Sequence, residues 1–287
     1  TYDSMLYDTL VEEVGEAKSF DKLYGRVKII ESIGLIGGSL LGGLIANLTS
    51  LRITYLADIP VALLAIIALA IFKEPKLHKA HLDVTITEHL KMTFKAIARN
   101  RSLLAVMAVL VFISTTEYML FEFSQMWFLA LSAGLVFFGP ANALMLGSTG
   151  LGGVLASHGN ITNPRIMKII LVIGLLGSVG LTLSKNLYLT LVLQVAVATV
   201  LVGTLIIFNR LLHDSLSSQV RAGAASAVST LSRLLIVPLA FVFGQLVKAL
   251  TVFRASWILV ILFTLGAYFV LRVAKRQNGK GLAATSE

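Results

Sequence analysis

Long apolar runs alternate with short polar gaps over almost all of this 287-residue chain. Val27 to about Ser50 and Ile53 to Phe72 are each long enough to cross roughly 30 Å of hydrocarbon at about 1.5 Å per helical residue. After the polar stretch Lys73–Arg101, six further runs follow, over about Ser102–Ala133, Leu135–Ser157, Ile166–Ser184, Leu187–Leu212, Ala224–Leu250 and Val252–Ala274. Residues 1–10, TYDSMLYDTL, read as the end of a helix whose apolar part would precede Thr1. The pattern predicts an all-α membrane protein with eight full transmembrane helices plus the stub of a ninth.

Composition agrees and narrows the function. Charged residues are 14% of the chain, whereas a soluble domain carries about a quarter, too few here to cover a water-facing surface. The formal charge of +9 does not point to nucleic acid, because the basic residues sit in the gaps between apolar runs. With Lys73–Arg101 taken as cytoplasmic, nineteen Lys and Arg residues fall on the inner side and four on the outer, with Arg233 inside a span. Such a split predicts a cytoplasmic C-terminus, with residues 275–287 as a cytoplasmic tail. The chain has no cysteine, and His78, His81 and His89 fit no metal-ligand spacing, so no metal or other cofactor is expected. In the linker 73–101, Thr85 and Glu88 have capping-box spacing and Ile86, Leu90, Phe94 and Ile97 recur at helical intervals. These predict an amphipathic helix lying at the headgroups.

An internal repeat organises the spans. Met5–Leu10 (MLYDTL) reappears as Leu211–Leu216 (LLHDSL), and Leu51–Leu56 (LRITYL) matches Phe253–Ile258 (FRASWI) at nearly the same offset. Two matches in one order suggest duplicated six-helix units. Residues 1–72 would then be the latter part of a first half, and 102–274 a complete second half. Under this reading about a hundred residues of a whole protein would precede Thr1.

Two six-helix halves joined by a long basic loop resemble the major facilitator superfamily of transporters, with this chain running from the end of its fourth helix to its twelfth. The most specific likeness is a glycine pattern in the fifth helix of that family's proton-coupled drug antiporters. Here it stands as Gly25, Gly34, Gly38-Ser39 and Gly42-Gly43, with Ser39 where the antiporters have proline. The resemblance implies a plasma-membrane transporter that works by alternating access. It further implies lipid, protons and a small molecule as partners, a monomeric state, and a packing or gating role for these glycines. Independently of the family, Gly34, Gly38 and Gly42 stack on one helix face and would let a neighbouring backbone approach closely.

Ionisable residues within the spans are the candidate chemistry. Glu117 lies about 22 Å along its span from Ser102, near the bilayer midplane, and Glu122 about a turn and a half further out. A carboxylate there costs several kcal/mol unless protonated, paired or wetted. Glu117 or Glu122 is therefore expected to carry the coupling proton, although the two point roughly 140° apart on the wheel and should not share one cavity. Tyr118, Gln125 and Trp127 are expected to line a substrate path. Arg233 either holds an anionic group in that path or snorkels to the cytoplasmic headgroups. No nucleophile or metal constellation is present, so enzymatic chemistry is not expected.

Overall fold

The computed structural model describes residues 20–71, 100–157, 163–214 and 218–284. Among them, all regular structure is helical: α1 (Phe20–Leu48), α2 (Leu51–Ile71), α3 (Arg101–Ala130), α4 (Leu135–Ser157), α5 (Pro164–Leu183), α6 (Leu187–Asp214), α7 (Ser218–Ala249), α8 (Val252–Ala255) and α9 (Trp257–Ala284). Seven stretches are long and apolar enough to cross a membrane: α2 to α7 and the stretch Val252–Lys275. The run lengths predict eight. The eighth falls in α1, whose apolar part among the fully described residues is Ile33–Leu48. The stub at residues 1–10 and nearly all of the linker, including its expected helix and histidines, lie outside the described residues.

Helix ends follow local chemistry. Asn100 caps α3, its side chain accepting from the backbone N–H of Ser102 at 3.0 Å and of Leu103 at 3.2 Å. Asn163 does the same for α5, accepting from Arg165 N at 3.0 Å, with Pro164 in the first turn where its missing N–H costs nothing. The far end of α3 turns through Ser132, which has φ 56°, and closes with Ala133 N donating to Phe128 O and Ser132 N to Leu129 O. The last apolar run, predicted as one span from Val252, is one membrane-length stretch, Val252–Lys275, within which the helix is interrupted at Ser256 between α8 and α9. There Thr251 caps α8 by accepting from Arg254 N, and the Ser256 hydroxyl donates back to Phe253 O at 2.7 Å.

The described chain forms two compact units. The first contains α1, α2 and residues 134–143 at the start of α4. Its apolar surface points outward: no residue of α2 is buried, and at 21 residues that helix spans about 31 Å, the thickness of a bilayer core. What packs tightly is glycine on glycine. A Cβ on Gly43 would sit 2.8 Å from Gly139 Cα and N, and one on Gly139 would sit 2.8 Å from Ser39 O, so the two backbones touch.

The second unit contains residues 100–133 and everything from Leu144 onward, with α3 at its centre against α6, α7 and α9. Lipid is as apolar as leucine, so close packing and buried hydrogen bonds, rather than expulsion of water, hold these helices together. Phe112 stacks on Phe269 with ring centroids 5.9 Å apart. Phe123 meets Phe243 at 4.7 Å, and Gln194 Nε2 donates to Ser124 O at 3.1 Å. Gly152 of α4 lies where a Cβ would meet Val202 and the backbone of Gly203 on α6. The core these contacts enclose is continuous from Leu103 at one end of α3 to Trp127 near the other.

Candidate functional site

Within the second unit a cavity of about 240 Å³ opens between α3, α6 and α7. Its polar wall starts on α3, where Ser114, Glu117 and Tyr118 stand at i, i+3 and i+4 and so share a face. On α7, Ser229, Ser232 and Arg233 repeat that spacing, and Asn209 of α6 adds a carboxamide. Leu110, Leu205, Val228 and Ile236 supply the apolar remainder.

The register of α3 against α7 fixes where the charges stand. Ser114 Oγ and Ser232 Oγ are 2.8 Å apart, a hydroxyl pair that bridges the two helices at the cavity. Ten or so residues on, Phe123 meets Phe243, so the helices run parallel. Glu117 is one turn, about 4.5 Å, beyond Ser114, while Arg233 is one residue, about 1.5 Å, beyond Ser232. The backbone positions of Glu117 and Arg233 therefore sit at nearly one height on the two helices, with Arg233 exposed. Neither makes an ion pair with the other or with another described residue. Glu117 is half-buried, near the middle of α3. Arg233 is about 15 Å along its helix from Gly223, where the apolar stretch of α7 begins.

Of the residues singled out by sequence, the structure gathers Glu117, Tyr118 and Arg233 on this wall. Glu122 and Gln125 are exposed on α3 outside the cavity, as the angle between the two glutamates requires. Trp127 is not a wall residue either. It is fully buried, packs against Phe243, and its indole N–H donates to Leu181 O at 3.1 Å in the last turn of α5, where carbonyls lack partners within the helix. Sequence reading missed Ser114, Asn209, Ser229 and Ser232. The signal available was the i, i+3, i+4 grouping of each serine set with a charged residue in an otherwise apolar helix.

The glycine pattern is also redistributed. Gly34 and Gly38 face open space among the described residues, and Gly42 has only an ordinary contact with Thr54 Cγ2 at 3.7 Å. Close approach falls one position along, at Gly43. Ser39 takes part through its side chain: its hydroxyl donates to Leu35 O at 2.9 Å and accepts from Asn142 Nδ2 at 2.8 Å. Gly25 lies in α1, outside the residues whose surroundings are described.

Among the described residues no group of three His, Asp or Glu side chains could hold a metal. The arrangement is suited to binding rather than bond-making: one carboxylate, one guanidinium, hydroxyls and an amide around a small space at mid-membrane depth.

No curated protein sequence gives a significant match. Among solved structures, the chain is similar to crystal structures of a bacterial homologue of the human lysosomal transporter Spinster in two inward-facing conformations. The unoccupied form aligns with a TM-score of 0.62 at 14% identity, covering 96% of this chain and 74% of the other. The occupied form gives 0.61 at 14%, covering 96% and 73%. At that identity the likeness speaks for the fold. The Major Facilitator Superfamily model matches residues 8–238. A match over most of the chain, on an all-helical multi-pass architecture, makes this protein a member of the Major Facilitator Superfamily, a family of membrane transporters and not of enzymes.

Proposed function

We propose that the chain is a secondary active transporter of the plasma membrane, working as a monomer by alternating access. It exports a small amphipathic molecule in exchange for protons, with its C-terminus in the cytoplasm. The observation that carries the reading is Glu117: a carboxylate at the middle of a membrane-spanning helix, on a cavity wall, with no ion-pair partner among the described residues. Such a group costs too much in a bilayer to persist without use, and protonation on one side with release on the other is the use that position supports. Glu122, exposed and off the cavity, is the control.

The test is transport in proteoliposomes under an imposed pH gradient. Glu117→Gln should abolish gradient-driven accumulation while exchange of substrate across the membrane persists at raised substrate concentration, and Glu122→Gln should behave as the unmodified protein. Full gradient-driven transport by Glu117→Gln overturns the assignment. Uptake by symport or uniport is the second reading. It is favoured by one feature: Ser39, bonded to Asn142, stands where the drug antiporters carry proline. The direction of flux relative to the gradient separates the two.

A further inference from the structure

We propose that the cavity between α3, α6 and α7 is built for a small zwitterion, one whose ammonium and carboxylate groups are bonded to the same carbon and whose remainder is apolar. This names the substrate class of the transporter reading above and rests on that reading for its biological use, though not for binding itself.

Size limits the ligand first. A volume of about 240 Å³ is space for about eight waters at roughly 30 Å³ each, and falls below the roughly 300–1,000 Å³ of sites for drug-sized molecules. An occupant of amino-acid dimensions fits that space, which is open where Tyr118, Asn209, Ser229 and Arg233 are exposed. Charge limits it next. Glu117 and Arg233 line the same space from parallel helices, their backbone positions offset along the axis by about 3 Å, yet they are not paired with each other. A simple anion would satisfy Arg233 and be repelled by an ionised Glu117, and a simple cation would meet the reverse. A zwitterion satisfies both at once, and its two charges stand close enough together to reach two groups so nearly level. The guanidinium offers two parallel N–H donors to a carboxylate, and the Glu117 carboxylate accepts from an ammonium.

The rest of the wall fits the rest of such a molecule. Asn209 and the exposed Ser229 add hydrogen-bonding groups beside the charges, while Ser114 and Ser232 are already engaged with each other and set the spacing of the walls. Leu110, Leu205, Val228 and Ile236 leave an apolar patch for a hydrocarbon side chain. A fully apolar solute would strand both charges.

The experiment is equilibrium binding to the full chain in detergent, with three probes that share a branched alkyl tail. Leucine carries both charges, N-acetylleucine only the carboxylate and isoamylamine only the ammonium. Leucine should bind at least about tenfold more tightly than either single-charge probe, the factor that about 1.4 kcal/mol of extra interaction provides. Glu117→Gln should weaken leucine by about tenfold or more and, by removing the charge that repels an anion, tighten N-acetylleucine. Arg233→Gln should weaken leucine and N-acetylleucine alike and, by removing the charge that repels a cation, tighten isoamylamine. Arg233→Lys, which keeps charge but not the bidentate fork, should give an intermediate loss and guards against misfolding of the glutamine variant. N-acetylleucine or isoamylamine binding as well as leucine overturns the proposal, as does failure of all three to bind at millimolar concentration. Because binding is read without a membrane gradient, leucine binding with no proton-driven flux sinks the coupling mechanism alone. Proton-driven flux of another solute, with no leucine binding, sinks this inference alone.

Discussion

The contact between Gly43 and Gly139 makes a sharp quantitative demand. Replacing Gly43 by alanine puts a methyl 2.8 Å from two backbone atoms of Gly139, where ordinary carbon contacts begin at 3.4 Å. Nothing on the opposing side can give way, because Gly139 has no side chain to rotate and its own backbone is in a helix. The start of α4 must therefore withdraw from α1 by the difference. The Asn142 to Ser39 hydrogen bond, one turn along at 2.8 Å, stretches with it. Overpacking of this kind costs about 1–3 kcal/mol and a buried interhelical hydrogen bond in a membrane is worth about 0.6 kcal/mol, so Gly43→Ala should destabilise by roughly 2–4 kcal/mol. Gly38→Ala is the matched control, since nothing lies within 4 Å of that position. There the only change is helix propensity, which favours alanine by up to about 1 kcal/mol. Thermal unfolding of the purified protein in detergent, followed by the fraction that stays monodisperse, reads both. A Gly43→Ala protein that melts with or above Gly38→Ala would refute the packing argument.

Other substitutions test single interactions. Ser39→Pro installs the residue that the drug antiporters carry at this place, and removes both a helix N–H and the hydroxyl that receives Asn142. It should cost about 3 kcal/mol or more by melting, and addition of Asn142→Ala should then cost little further. Trp127→Phe keeps the ring stack on Phe243 but leaves Leu181 O without its donor, and should destabilise by about 1–3 kcal/mol in the same assay with no change in leucine affinity. Ser132→Gly relieves a left-handed residue in the turn after α3 and should stabilise by roughly 0.5–1 kcal/mol, whereas Ser132→Val should do the opposite.

The membrane architecture was legible because hydrocarbon thickness imposes itself on the sequence as run length. The predicted Leu135–Ser157 coincides with α4, and the predicted Leu187–Leu212 stops two residues short of the end of α6. What run length did not show was a local break made by a polar residue. Ser256 ended α8 inside an unbroken apolar stretch by bonding its own preceding turn. The glycine pattern gave a face of α1 but could not give its partner. Which glycine is touched depends on where α4 begins, and α4 begins at Leu135 because Ser132 and Gly134 turn the chain there.

The candidate site divides along a similar line. Glu117 and Arg233 stood out because a charge in an apolar run is expensive wherever it points. Ser114, Ser229 and Ser232 did not, because a serine in a membrane helix is cheap: its hydroxyl can donate to a carbonyl of the preceding turn, as that of Ser114 does weakly to Val111 O at 3.3 Å. Serine gains meaning only when two helices bring two of them together, and the register of α3 on α7 is a tertiary fact. Trp127 shows the converse. Its polar edge suggested a path residue, but an aromatic N–H can equally serve the bare carbonyls at a helix end, and the end of α5 at Leu183 supplied them. The cost of a group in the bilayer thus marks which residues need a partner, while only packing decides whether that partner is another helix, as for Trp127, or is left to a ligand, as for Glu117 and Arg233.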